Sequence, residues 1–322
     1  MNVDVLAALD PGFRNFLLAV AFMIVVASGL AGAGRFVERR LAARLRALNR
    51  YVLLSVLALI VLFPIYVTVL NSVLRPSQII SRPPTLAIWP WEGDWSGYSR
   101  AWDQGDVSSY LFNSAVVTFL IVAGQLVTSI LAAYAFAFLE FPLKRTVFVV
   151  FLATMMVPFE VVFFTNLQTV ATMGEWPVIG GYVGLDTYGA LAIPFLATGF
   201  GAFLVRQSFL SLPRDLRDAA ALDGYGHFRF LLRVAVPLSR PAVASLALFS
   251  FFGAWNQYLW PLVVSDDKRT VQVGLRQLRG VALDEINITF AGTVLAALPL
   301  FVLLLLFQKQ LVRGLTAGAV KG

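Results

Sequence analysis

The 322-residue chain has no cysteine and a single histidine. The first absence excludes a disulfide framework, a thiol nucleophile and a cysteine-ligated metal, and the second leaves no histidine pair to hold one. Charge is scarce too, at 13% Asp, Glu, Lys and Arg against about 25% in a soluble domain. What remains is apolar: 59% of residues are hydrophobic and the mean hydropathy is +0.78. The apolar runs approach the ~20 residues that a helix needs to cross the hydrocarbon core, and they lack the short alternating segments of a membrane β-barrel. The composition specifies an all-α integral membrane protein.

Seven apolar runs stand at about 16–34, 51–71, 114–138, 146–167, 188–204, 241–264 and 288–307. The first resembles a signal peptide in position, but Asp4 and Asp10 precede it against the single Arg14, opposite to a basic n-region. It reads as a retained span. If the Arg-rich segment 35–50 stays in the cytoplasm, the amino terminus lies outside and the carboxyl terminus inside. That arrangement places 17 of the 25 Lys and Arg on the inner side and 12 of the 18 acids on the outer side, as the positive-inside bias requires. The net charge of +7 is thus spread along an inner face, which argues against a nucleic-acid partner. Outside, the stretch 72–113 carries Pro76, Pro83, Pro84 and Pro90 with Trp89, Trp91, Trp95 and Trp102. It suits an ordered loop near lipid headgroups.

One polar island, 211–241, interrupts the apolar sequence between the fifth and sixth internal runs. Pro213 suits the first turn of a helix, with Ser211 as a candidate cap. Gly224 breaks that helix, Asp223 is placed to cap the amino end of a second one, and Pro237 is expected to end it. Ala219 and Ala220 leave the first helix bare enough for close approach, with Arg214, Arg217 and Asp218 supplying polar contacts. Phe228, Phe230, Leu231 and Leu232 make the second amphipathic. Spacing alone is consistent with a docking surface and equally with a solvated loop.

Within the apolar runs, Glu160 is the one acid placed in a span, toward its outer end. An intramembrane acid has a functional reading, here solute contact, and a structural or gating reading. Trp255, Asn256, Gln257, Tyr258 and Trp260 offer the stacking faces and hydrogen bonds that a sugar uses, and equally an aromatic belt at the outer interface. Gln125 and Asn166 read as interhelical hydrogen-bond partners, and His227 as local packing or surface.

The island resembles the EAA signature of permease subunits in binding-protein-dependent ABC importers. It stands here as Asp218-Ala219-Ala220, Asp223-Gly224-Tyr225 and Val234-Ala235-Val236-Pro237, with Asp for the usual Glu, Tyr225 for Ala, and two Val for Ile and Leu. VPFE (157–160), WNQYLWPLVV (255–264) and the terminal GLTAGAVKG resemble the carbohydrate-uptake branch, specifically its maltose-G-type subunit. The resemblance implies a six-helix permease core over 49–322, with 1–48 as an extension carrying an additional span, and a coupling loop at 206–240. It further implies a second permease subunit, two ATPase subunits that bind ATP and Mg, an external solute-binding protein and a sugar or polyol substrate. The chain would be a non-catalytic subunit, and it carries no GxxxxGK[ST] of its own. Two other classes stay open: a self-contained secondary transporter, expected to show internal repeats, broken helices and paired buried charges, and a membrane scaffold.

Overall fold

The computed structural model describes residues 11–33, 39–81, 85–278 and 285–316. All regular structure among them is helical, because in lipid a backbone must pair its own N–H and C=O groups and a helix does so within one segment. In chain order the principal helices are α1 (Pro11–Ala33), α2 (Arg39–Val73), α3 (Ser96–Asp103), α4 (Val107–Phe138), α5 (Lys144–Ala153), α6 (Phe159–Gly174) and α7 (Tyr188–Ala192). They continue with α8 (Gly199–Leu210), α9 (Asp215–Leu222), α10 (His227–Leu238), α11 (Arg240–Trp255), α12 (Leu259–Val264), α13 (Val271–Leu278) and α14 (Ile286–Thr316). The run expected at 16–34 is covered by α1 up to Ala33. Residues 317–322, which hold most of the GLTAGAVKG motif, lie outside the described residues.

Three stretches are long and apolar enough to cross a membrane singly: Arg46–Val73, Val107–Phe138 and Ile286–Gln308. Three more arise only if bent pairs are joined. α5 and α6 meet at 94°, α7 and α8 at 51°, and α10 and α11 at 82°. The continuous fourth and fifth spans expected from hydropathy are therefore corrected. Pro158 explains the first break, since a residue before proline is driven out of the helical region and Val157 is extended at φ −78°, ψ 114°. The run 241–264 is also interrupted, ending as α11 at Trp255 and resuming as α12 at Leu259. Here Pro261 lacks the N–H that a continuous helix would give to the carbonyl of Gln257.

The chain divides into two compact units, 1–106 with 277–295, and 107–276 with 296–322. In the first, α1 packs along α2, and Asp94 organises the stretch that follows α2. Its carboxylate accepts the Ser96 amide at 3.1 Å, the Ser96 hydroxyl at 2.6 Å and the Asn287 amide at 3.3 Å, and it pairs with Arg100 at 3.5 Å. The Ser96 hydroxyl is the main reason its pKa lies below the ordinary value. Trp89 and Trp91 stack at 5.0 Å with both rings exposed.

In the second unit α4 is central and packs against α8 and α11. Close approach is possible because Gly201 has no side chain; a Cβ there would meet Ser129 Oγ at 2.3 Å and Leu246 Cδ1 at 2.8 Å, the small-residue contact by which membrane helices associate. Two apolar clusters flank this crossing. One gathers Val117, Ile121, Phe163, Leu191 and Trp260, the other Tyr134, Val205, Phe209, Phe230 and Leu231.

Candidate functional site

The polar island folds as a helix, a turn and a second helix, with different chemistry at its ends than spacing suggests. Asp215 and Asp218 lie in the first turn of α9, where acids complement the positive end of the helix dipole. Ser211 is not its cap; it closes α8 instead, its hydroxyl donating to the Ser208 carbonyl at 2.7 Å. Asp223 does not cap α10 either. It is the C-cap of α9, while Gly226 begins α10 without a side-chain cap.

The turn is closed by backbone. Tyr225 N–H donates to the Ala220 carbonyl at 2.9 Å and Gly224 N–H to Ala221 at 3.0 Å, the paired bonds of a Schellman motif. That motif needs a left-handed residue, and Gly224 has φ +76°. Pro237 does not stop the chain. A π-helical turn over Leu231–Ala235 widens the backbone just before it, which relieves the clash of a proline ring with the preceding turn. The helix continues to Leu238 and bends at Ser239.

Burial sorts the expected docking residues. Ala220 faces inward, packed with Phe230 and Leu231, so the bare surface is formed by Ala219 and Ala221 together with Leu222, which is 90% exposed. Leu222 was not singled out by the spacing argument, although it is the large apolar residue of an otherwise polar helix face. Phe228 and Leu232 are exposed rather than packed as the amphipathic reading has them. Arg217 is engaged within the chain, donating to the Phe138 carbonyl at 2.9 Å. Arg206 reaches Phe136 at 3.2 Å and Lys144 reaches Leu139 at 2.6 Å. Three cations thus cover the carboxyl end of α4, where the dipole favours them. Between that end and α9 lies a groove of about 330 Å³ with Glu140, Arg214, Arg217 and Asp218 on its walls. His227 is tied inward, its Nδ1 at 2.9 Å from the Tyr134 hydroxyl, and the Arg229 guanidinium lies 4.4 Å over the Tyr225 ring.

The second group of candidates falls at helix breaks. Glu160 is not inside a continuous span. It stands exposed in the first turn of α6, immediately after the break, without an ion-pair partner among the described residues. Asn256, Gln257 and Tyr258 form the non-helical link between α11 and α12. Trp255 is buried; its indole N–H donates to the Ala296 carbonyl at 3.2 Å and its ring stacks on Phe251. Trp260 is likewise buried, bonded to the Ala190 carbonyl at 3.0 Å. Neither ring offers a free face. Trp260 instead joins Phe159, beside the first break, and Phe195, beside the second, with centroids 5.2–6.0 Å apart. One aromatic cluster therefore pins three helix breaks.

The carbonyls freed at the break between α7 and α8 are met by α4. Gln125 Nε2 donates to the Phe195 carbonyl at 2.8 Å and Thr128 Oγ1 to Leu196 at 2.8 Å. Gln125 Oε1 in turn accepts from Ser250 of α11 at 2.5 Å, so the interhelical role expected of Gln125 is what the geometry shows. Beside this network is a cleft of about 240 Å³ between α4, α8 and α11, reached by Gln125, Thr198, Ser250 and Gln257 and walled by Phe200 and Phe249. Asn256 hydrogen-bonds the Phe252 carbonyl at 2.9 Å, and Tyr258 is bonded to Arg276.

Apolar helices broken at prolines, a cleft reached by Gln125, Thr198, Ser250 and Gln257, and an exposed charged turn fit a membrane transport component. Residues 125–317 match the family described as "Binding-protein-dependent transport system inner membrane component". The sn-glycerol-3-phosphate transport system permease protein UgpE of Yersinia pestis bv. Antiqua (strain Antiqua) is 34% identical over 275 residues, covering 82% of this chain and 94% of that protein. UgpE of Agrobacterium fabrum (strain C58 / ATCC 33970) is 33% identical over 290 residues, covering 87% and 98%. A chain in the crystal structure of a bacterial ABC transporter involved in the import of the acidic polysaccharide alginate superposes with a TM-score of 0.72 at 22% identity, covering 85% of this chain and 98% of that one. The chain belongs to the binding-protein-dependent transport system inner membrane component family.

Proposed function

We propose that this protein is one permease subunit of an ATP-driven importer for a sugar or related polyol, forming half of the translocation pathway. It works with a second permease subunit, two ATPase subunits that hold ATP and Mg, and an external solute-binding protein. The observation that supports coupling is the outward face of α9, where Ala219, Ala221 and the exposed Leu222 stand on a turn locked by Gly224. A small, bare helix face with one apolar knob fits a cleft in a partner, which on this reading is an ATPase subunit. On this reading the loop is cytoplasmic, the amino terminus external and the carboxyl terminus internal. The glycerol skeleton of the substrate printed for the UgpE relatives, sn-glycerol 3-phosphate, supports a polyol.

Helix breaks were the mark expected of a secondary transporter, and this chain has them. They do not favour that class, because the carbonyls freed between α7 and α8 are satisfied by Gln125 and Thr128 and the described residues hold no buried pair of opposite charges. Co-expression of the chain with its companion subunits tests the proposal. ATPase should co-purify and hydrolyse ATP faster with loaded binding protein. Solute uptake by the isolated chain in proteoliposomes, driven by an ion gradient without ATP, would overturn it.

A further inference from the structure

We propose that the cleft between α4, α8 and α11 is this subunit's own solute subsite, and that it takes an uncharged polyhydroxyl group rather than a phosphate. The inference rests on the importer reading above and specifies the chemistry of the group that passes.

Three features carry it. First, Gln257 lines the cleft and its Oε1, shielded from solvent, has no hydrogen-bond partner among the described residues. A buried amide oxygen left unpaired is costly, and rotation of the side chain toward the cleft lets a solute hydroxyl supply the missing proton. Nearby, Ser250 already donates to Gln125, which leaves the serine oxygen able to accept, and Thr198 stands at the start of α8 without making a capping bond. Donor and acceptor alternate as they do on a polyol. Second, Phe200 and Phe249 meet edge to face at 5.6 Å and provide an apolar wall for the C–H face of a sugar or glycerol unit. Third, none of the described residues lining the cleft is charged.

The third point separates this chain's subsite from the substrate named for its relatives. A phosphate ester carries ≈ −1.5 to −2 charge at pH 7 and is held by Arg or Lys; enclosing it without a cation is unfavourable. The volume sets the size. About 240 Å³ is the space of roughly eight waters, which holds a triol or one sugar ring. The position fits as well, since Gln257 belongs to the unwound link between α11 and α12, and irregular backbone at membrane depth is tolerated where it lines a cavity.

The lack of cysteine makes a direct test available. Gly253 borders the cleft and a Cβ there meets nothing within 4 Å, so Gly253→Cys places a unique thiol at its edge. In the assembled complex in nanodiscs, the rate of thiol labelling on this chain would be followed by mass spectrometry with glycerol, glucose or sn-glycerol 3-phosphate as protectant. Glycerol or glucose should slow labelling about threefold at twice its dissociation constant, glycerol 3-phosphate much less, and Gln257→Leu in the same background should remove the protection. Labelling insensitive to both neutral polyols, equal protection by glycerol 3-phosphate, or protection that survives Gln257→Leu would overturn the assignment. Failure of the importer reading is distinguishable, because it would show as a complex that contains no ATPase while the labelling readout remains interpretable on the inserted chain.

Discussion

The turn after α9 and the link after α11 are both short polar interruptions, yet they differ in how completely the chain satisfies them. At the first, the backbone closes on itself through Gly224 and Tyr225, Arg217 is committed to Phe138, and what faces outward is Ala219, Ala221 and Leu222. At the second, Asn256 and Gln257 return their amides to Phe252 and Ala254 and Tyr258 accepts from Leu262, but the Gln257 side chain keeps a buried oxygen without a partner among the described residues. A finished turn with an apolar knob is suited to a permanent partner. An unfinished link is suited to something that arrives and leaves.

Substitutions can break or sharpen this contrast. The largest effect is expected from Leu222→Asp, which removes an apolar contact worth roughly 1.5–3 kcal/mol when buried and puts a charge in its place. Association with the ATPase should weaken by about 100-fold, corresponding to ~3 kcal/mol, with membrane insertion unchanged; co-purification measures the first and protease accessibility of the loops the second. Next is Gln125→Leu, which strips the Phe195 carbonyl and the Ser250 hydroxyl of their partner. Leaving such groups unpaired costs about 2 kcal/mol, and thermal unfolding of the purified complex should show the loss, with little change in ATPase binding.

Gly224→Val follows. The space around Gly224 is open, so the cost is conformational, about 1–2 kcal/mol for a left-handed residue, and more for a β-branched one. ATPase coupling should loosen by roughly tenfold, whereas Gly224→Asn should retain most of it, since Asn tolerates that region.

The smallest effect concerns Asp186, in the loop before α7. Its carboxylate accepts from the Asp267 and Asp266 amides at 3.0 and 2.7 Å and from Ser265 Oγ at 2.9 Å. The Asp267 amide is the main cause of its lowered pKa. A depressed carboxylate stabilises fully above its unfolded pKa and loses that contribution as the pH falls through the folded value. Protection of the Asp266 and Asp267 amides against hydrogen exchange, taken relative to the intrinsic rate at each pH, should therefore fall in acid, and Asp186→Asn should flatten that dependence. An unchanged profile in the variant would remove the loop clamp.

Composition and run length decided that this is a helical membrane protein, because 59% hydrophobic residues with 13% charge place the chain in lipid, where only helices and closed barrels satisfy a backbone, and long runs without alternation exclude the barrel. The position of the polar island and the need for glycine at 224 were equally legible, since a left-handed turn is a local property of the chain. The straightness of the runs was not. Hydropathy is blind to a break: Pro158 and Pro261 stop hydrogen bonds without changing how apolar a segment is, and Pro237, which reads as a stop, is absorbed by a π turn. Which polar residue is spent and which is free was decided only in three dimensions. Gln125 and Gln257 are the same residue type in apolar surroundings, but the first meets a freed carbonyl 70 residues away and the second does not, and pairing across that distance depends on where α4, α8 and α11 come together.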